Sequence, residues 1–338
     1  MKKSLFSLLA VIVMAGCTQS DVMEPVPNEN VEIKLISSAI AAETMTRAPY
    51  EGTIAADNTL AARVLVSETS GNYTTTYAND KMVFTDNGST AVGFATAKYY
   101  PVDNSTLHIC GLYPFEGWGN PANDECKFTF NGSQDVMAAP EKSSTKNDSK
   151  DGNYPQLEFK HLLTQLVIKA VAEDEAAIAK WGKLTDITLT KVGKNNPSGA
   201  VTVSLSAGTA DESSAFATLL DNGMSFWVRG AGTETAFASQ AKELTTDGEE
   251  VAYSMVAPLK NATGTADYTG DEPTEHSGTT PVTVPVNLKT TGSSSADYTA
   301  STQGKKFVVL LTFKATEIKA TATVKDWEED GGSSEEIQ

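Results

Sequence analysis

Val31-Glu-Ile33-Lys-Leu35 alternates apolar and charged side chains one for one. That is the period of a half-buried β-strand and not of a helix. The same period recurs in Leu107-His-Ile109-Cys, Phe128-Thr-Phe130, Ile187-Thr-Leu189-Thr and Val201-Thr-Val203-Ser-Leu205. It continues through Val282-Thr-Val284-Pro-Val286-Asn-Leu288, Lys306-Phe-Val-Val-Leu-Leu-Thr-Phe313 and Ile318-Lys-Ala-Thr-Ala-Thr-Val324. Asp86-Asn-Gly88, Asn131-Gly132, Asp151-Gly152, Asp221-Asn-Gly223 and Asp247-Gly248 punctuate these runs as turns. Short alternating strands with regular turns predict an all-β chain of antiparallel β-sandwich domains. Ala and Glu content sets 172–181 apart as a short helical insert.

Three stretches lack periodicity and are expected as loops: 139–155, 206–214 and 261–280. The apolar run from Leu157 to Val171 is expected as a strand that completes the first sandwich. The division between an N-terminal domain (48–210) and a C-terminal domain (211–338) therefore falls near 210. A chain of 338 residues has ample length for two such cores.

Charge and composition narrow the function classes. The net charge of −17 becomes −19 once Lys2 and Lys3 are lost with a leader. A surface that acidic repels phosphate backbones, which argues against nucleic-acid binding. Three His and three Cys leave little material for metal clusters or nucleophile–base pairs, and no nucleophile-elbow or calcium-loop pattern occurs. No catalytic residue, metal or cofactor is expected. His108, His161 and His276 read as structural. Tyr99, Tyr100, Tyr113, Phe115, Trp118 and Trp227 could stack on sugars if exposed, but core packing is the expected role.

The amino end carries an export signal over 1–16. Lys2 and Lys3 precede a short apolar run, Leu5 to Met14, far below the roughly 20 residues of a membrane-spanning helix. Ala15-Gly16-Cys17 resembles the bacterial lipobox, in which the Cys17 thiol is acylated and becomes the first residue of a lipoprotein. Several acyl chains would hold such a protein on a membrane without a helix. Cys110 and Cys126 remain, with fifteen residues between them. A disulfide there would stabilise by about 3 kcal/mol, and two buried free thiols are the alternative.

One ordered series of motifs goes further. Cys17 is followed by Thr46-Arg47-Ala48, Met82-Val-Phe84, Tyr99-Tyr-Pro101, Cys110-Gly-Leu-Tyr-Pro114 and Asp135-Val-Met-Ala138. Leu157-Glu-Phe-Lys-His-Leu-Leu-Thr-Gln-Leu-Val167 and Val324-Lys-Asp-Trp327 complete it. Across most of 1–327 the series resembles the fimbrillin family, lipoprotein precursors of type V pilus subunits and related surface adhesins.

That resemblance implies two transthyretin-like β-sandwich domains and a location on the outer membrane, then in a fimbrium. It also implies cleavage by a trypsin-like protease after Arg47, so that the mature subunit begins at Ala48. Residues 17–47 would then be a lipidated pro-segment. Its strand, with Val31, Ile33 and Leu35 on one face, would leave a groove for a strand of another pilus subunit. The donor is expected in 317–327, with Ile318, Ala320, Ala322 and Val324 on one face. Only eleven residues follow Trp327, a short tail for a stalk subunit. The expected function is a fimbrial structural or adhesion subunit that partners other subunits by strand complementation. The alternative is a non-polymerising surface lipoprotein that captures glycan or peptide ligands on host or bacterial surfaces.

Overall fold

The computed structural model describes residues 30–39, 59–85, 90–184, 188–189, 199–210, 226–228, 235–236, 242–256, 265–271, 281–287, 303–326 and 335–337. Its first strands are β1 (Lys34–Ala39), β2 (Leu60–Ser67), β3 (Ala78–Phe84), β4 (Val92–Gly93), β5 (Leu107–Tyr113) and β6 (Glu125–Phe130). Next come β7 (Met137–Ser144), helix α1 (Lys146–Lys150), β8 (Gln156–His161), β9 (Thr164–Ala172) and helix α2 (Glu175–Trp181). The short strands β10 (Lys183–Leu184), β11 (Thr188–Leu189), β12 (Gly199–Ser204), β13 (Thr209–Ala210), β14 (Trp227–Val228), β15 (Thr235–Ala236) and β16 (Lys242–Glu243) follow. The chain ends with β17 (Glu249–Val256), β18 (Thr265–Asp271), β19 (Pro281–Asn287), β20 (Lys305–Phe313), β21 (Ile318–Asp326) and β22 (Glu335–Ile337). It is an all-β protein with two short helices among the described residues.

Two large sheets organise these strands. The first runs β3-β2-β5-β7-β8-β1-β4 and the second β15-β14-β17-β9-β20-β21-β22. Alternation sends Leu60, Ala62 and Val64 of β2 and Leu107 and Ile109 of β5 to one face of the first sheet. There they meet Ile33, Leu35, Phe84, Tyr100 and Phe159. The opposite-parity residues Leu65, Cys110 and Leu112 enter a different core, with Phe128, Phe130, Val201 and Val203 from the β6–β12–β13 sheet and Val167, Tyr253 and Met255 from the second sheet. A third core lies on the other parity of the second sheet: Leu166 and Ile168 pack with Phe307, Val309 and Trp181 of α2. Burial on both faces explains why Val64-Leu-Val66 and Leu166-Val-Ile168 read as unbroken apolar runs.

Several sequence expectations change here. The run Leu157–Val171 is not one strand of the first sandwich. It breaks at Leu162–Leu163, and β9 lies in the second sheet, antiparallel to β17 and parallel to β20. The break is satisfied by Leu162 N–H donating to Val136 O and by Gly304 N–H donating to Leu163 O. Sheet pairing thus changes over at 162–163.

The stretch 139–155, expected as a loop, holds most of β7 and all of α1. Pro140 and Glu141 sit where the β5–β7 register shifts, between Ile109 and Gly111. Proline has no N–H for the ladder, so a bulge accommodates it, and Glu141 N–H donates instead to Ser206 O. Thr145 and Asp148 then form a capping box that starts α1. Within 261–280, β18 pairs along its length with β19. Within 206–214, only 209–210 forms a strand among the described residues. The expected helix is present as α2, capped by Asp174. Ala172 belongs to β9 instead.

Candidate functional site: the groove around the amino-terminal strand

Ile33 and Leu35 are completely buried in the first core, and Val31 packs against its margin. The sequence alternation therefore translates directly into an inward apolar face. Opposite it, Glu32 and Lys34 lie outward and approach each other at 3.6 Å.

The main chain of this ribbon is held in two halves. Residues 31–35 are stitched to 92–100: Ile33 N–H donates to Lys98 O at 2.8 Å, Tyr100 N–H donates to Val31 O at 2.9 Å, and Lys34 and Leu35 lie opposite Gly93 and Val92. Residues 36–39 run parallel to β8, with Ile36 N–H donating to Pro155 O at 3.1 Å and Ser37 in register with Leu157. Ser149 of α1 adds one side-chain hydrogen bond to Glu32 O at 3.3 Å.

The groove itself is built by strands distant in sequence. Gly111 of β5 is required there, since a Cβ would lie 2.6 Å from the Phe159 ring and 3.2 Å from Leu157. Phe84 and Phe159 close the core edge with ring centroids 6.0 Å apart. Without the ribbon, Leu157, Phe159 and the Tyr100 region would lose the side chains that fill the space above them.

Other residues singled out from the sequence have structural settings. Cys110 and Cys126 are separate buried thiols in the same core. Burial pushes both thiols up from their ordinary values, and the nearby Arg63 charge partly opposes this at Cys126. His161 Nδ1 lies 3.0 Å from a carboxylate oxygen of Asp135, both side chains almost fully buried. Trp118 packs on Phe128 at 5.0 Å and donates its indole N–H to Pro114 O at 2.8 Å. Ile318 packs against the second-sheet core. Ala320, Ala322 and Val324 occupy β21, which pairs with β20 along its whole length and with β22 over 322–324. Cys17, Arg47, Ala48, His276 and the wider tail beyond 326, apart from 335–337, lie outside the described residues.

Sequence reading missed a cluster around Glu141. Its carboxylate accepts from Ser70 Oγ (2.7 Å), Gly71 N–H (3.0 Å) and the Tyr73 hydroxyl (2.8 Å), and faces His108 Nδ1 at 2.9 Å. Burial alone would raise this carboxyl, but those hydrogen bonds and His108 outweigh it and hold it below the usual carboxylate range. Burial pushes the Tyr73 phenol far up, with Cys110 and Glu141 adding to the effect. The cluster ties the 67–73 turn to β7 across a sequence gap no local pattern reveals.

A cavity of about 410 Å³ opens beside Tyr113, Pro114, Phe115, Lys81, Gln134 and Asp135. Among the described residues no cluster of three or more His, Cys, Asp or Glu is placed to hold a metal. Likewise, no described helix is long and apolar enough to cross a membrane.

Comparison with known proteins gives a consistent picture. Residues 46–327 match the family described as fimbrillin-like. A protein of Bacteroides uniformis assigned to cell adhesion superposes with a TM-score of 0.51 at 18% identity, covering 88% of this chain and 99% of that one. A Bacteroides ovatus protein with the same assignment gives 0.51 at 12% identity, covering 88% and 98%. At these identities the likeness speaks to the fold. No curated protein matches the chain.

Proposed function

Since the chain belongs to the fimbrillin-like family, we propose that it is a surface fimbrial or adhesion subunit, exported as a Cys17 lipoprotein and matured after Arg47. Loss of the segment ending at Arg47 removes the Val31–Leu35 ribbon and bares the groove, and a strand from another subunit fills it. What supports this reading is one observation: Ile33 and Leu35 are completely buried in the first core, yet the ribbon's backbone is held by one neighbour at a time. A strand so placed leaves both apolar pockets and unpaired main-chain groups when it departs, and such an edge templates another chain. Because the donor and the groove are different surfaces, the contact is heterologous and propagates as a fibre.

The donor is drawn from the carboxyl-terminal edge. β21 with Ile318, Ala320, Ala322 and Val324 is locked to β20, whereas β22 touches only 322–324. Release of β22 frees one edge of β21, which must also part from β20 before it can leave as a donor. Treatment of the full chain with a trypsin-like protease tests the proposal. The expected result is loss of the segment through Arg47, followed by ladders on unheated gels. A trimmed chain that stays monomeric overturns it.

A second reading, capture of a small surface ligand, draws on the cavity beside Tyr113 and Phe115, where aromatic and polar groups converge. Screening the uncleaved chain against a glycan array separates the two. Binding abolished by Phe115→Ala, with no ladder formation, favours capture.

A further inference from the structure

The inward positions of the amino-terminal ribbon are Ile33, Leu35 and Ser37, at 0%, 0% and 1% exposure. The first two fill the core with aliphatic groups. The third delivers a hydroxyl whose oxygen finds no hydrogen-bond partner. Ser37 is in register with Leu157, itself fully buried in the same core, and the adjacent pair is Ala39 with Phe159. Its neighbours on the inward face of β8 are therefore apolar where the ribbon turns polar. A buried hydroxyl left unpaired is a standing penalty that an aliphatic group of similar size avoids. The defect also falls in the half of the ribbon held by β8 alone, past the last β4 pair at Leu35.

We propose that position 37 is the specificity-determining weak point of the resident ribbon. Its preferred replacement is an extended segment of another subunit carrying aliphatic side chains at three successive alternate positions, the third seated against Leu157. This rests on the strand-replacement reading above and adds what the incoming strand must contain. Two good side chains keep the precursor closed. The missing third gives the incoming strand its advantage once the connection to the rest of the chain is cut, so the resident segment does not simply rebind. Alternate side chains set register in strand addition, so the third position also fixes which residue of the partner faces Leu157.

The test uses the full chain nicked after Arg47 and labelled peptides of residues 31–39. Three peptides are compared: the natural one, Ser37→Val and Ser37→Ala. Uptake is read by anisotropy and by intact mass. The Ser37→Val peptide is expected to compete roughly tenfold better than the natural one, and Ser37→Ala a few-fold better, in line with relief of an unpaired buried hydroxyl. If the natural peptide enters and neither variant gains, the inference fails while strand replacement stands. If no peptide enters, both fall. The uncut chain supplies an independent check: Ser37→Ala, which adds no volume, is expected to melt no lower than the wild type. A lower melting temperature means the hydroxyl stabilises the fold, which overturns the inference.

Discussion

The amino-terminal ribbon and β9 bury their inward side chains equally but have unequal attachments. Ile33 and Leu35 in the first sheet and Leu166 and Ile168 in the second all have zero exposure. Yet β9 is paired over 164–170 by β17 and over 165–172 by β20, two full neighbours at once. The β1 ribbon has the 92–100 stretch beside one half and β8 beside the other. Side-chain burial sets how much a strand contributes to the core, whereas backbone pairing on both edges sets whether it can leave alone. The ribbon therefore has fewer backbone bonds to break on leaving its sheet than β9 has, and is expected to open at a lower free-energy cost.

The largest expected effect probes that contrast. Leu166→Ala is expected to lower global stability by about 3–4 kcal/mol in urea unfolding, the usual range for a buried leucine. Leu35→Ala removes the same side chain from an equally buried site. Its global cost is capped at the free energy of ribbon opening, because beyond that point the ribbon simply detaches. Amide exchange should show this directly, with residues 33–36 accelerated more than β9, whose amides speed up by no more than the capped global loss. Equal global losses, with exchange in both strands rising together, break the contrast.

Next in size is the carboxylate that ties the 67–73 turn to β7. Glu141→Ala removes the acceptor shared by Ser70, Gly71 and the buried Tyr73 hydroxyl and is expected to cost about 1–3 kcal/mol. The pH dependence follows from the lowered Glu141 pKa. A carboxyl depressed in the folded state contributes fully above its unfolded value, about 4.3, and the contribution is lost as pH falls through the folded value. The gap in melting temperature between wild type and Glu141→Ala should hold from pH 7 to 5 and shrink below about pH 4. A gap that widens on acidification contradicts the assignment. Because the hydrogen bonds of Glu141 go to the 70–73 turn and His108 and none to the ribbon, the variant should leave the exchange rates of residues 33–36 relative to β9 as they were.

A smaller effect concerns the thiols. Cys110→Ala is expected to cost about 1 kcal/mol, the burial of one small apolar group, and the same amount in reducing and oxidising buffer. Alkylating reagents should label neither cysteine in the native chain at pH 8 and both in denaturant. A redox-dependent cost shows a disulfide in place of two thiols.

Much of this architecture was legible because alternation reports which face a side chain occupies. Ile33 and Leu35, Phe128 and Phe130, and Val201 and Val203 all went inward as their spacing requires. Alternation does not report neighbours, however. Leu157–Val171 reads as one strand because apolar residues recur through β8 and β9 without a turn signal between them, and the change of sheet at 162–163 depends on Val136 and Gly304, each far away in sequence. β7 was hidden by Pro140 and by polar residues that a bulge and the Glu141 cluster consume. β18 was hidden by its Asp, Gly and Thr content, since its partner β19 supplies the valines. Ser37 is illegible for a related reason: a serine ends the apolar pattern of the ribbon, and only its burial in register with Leu157 shows that its side chain still points inward.

The smallest expected effect sharpens the contrast from the outer face of the ribbon. Glu32 and Lys34 form a 3.6 Å pair with 32% and 41% of their side chains exposed. Exposed pairs of this kind contribute between zero and about 1 kcal/mol and are screened by salt. Lys34→Gln should therefore shift the melting temperature by no more than a degree or two, with exchange at residues 33–36 nearly unchanged at any ionic strength. The inward neighbour Leu35 and the outward Lys34 differ by one residue, so they share the same backbone pairing and local strand. Any difference between their variants isolates the inner face. If Lys34→Gln loosened the ribbon as much as Leu35→Ala, the hold would lie in its charges, and the groove would not be the feature that retains it.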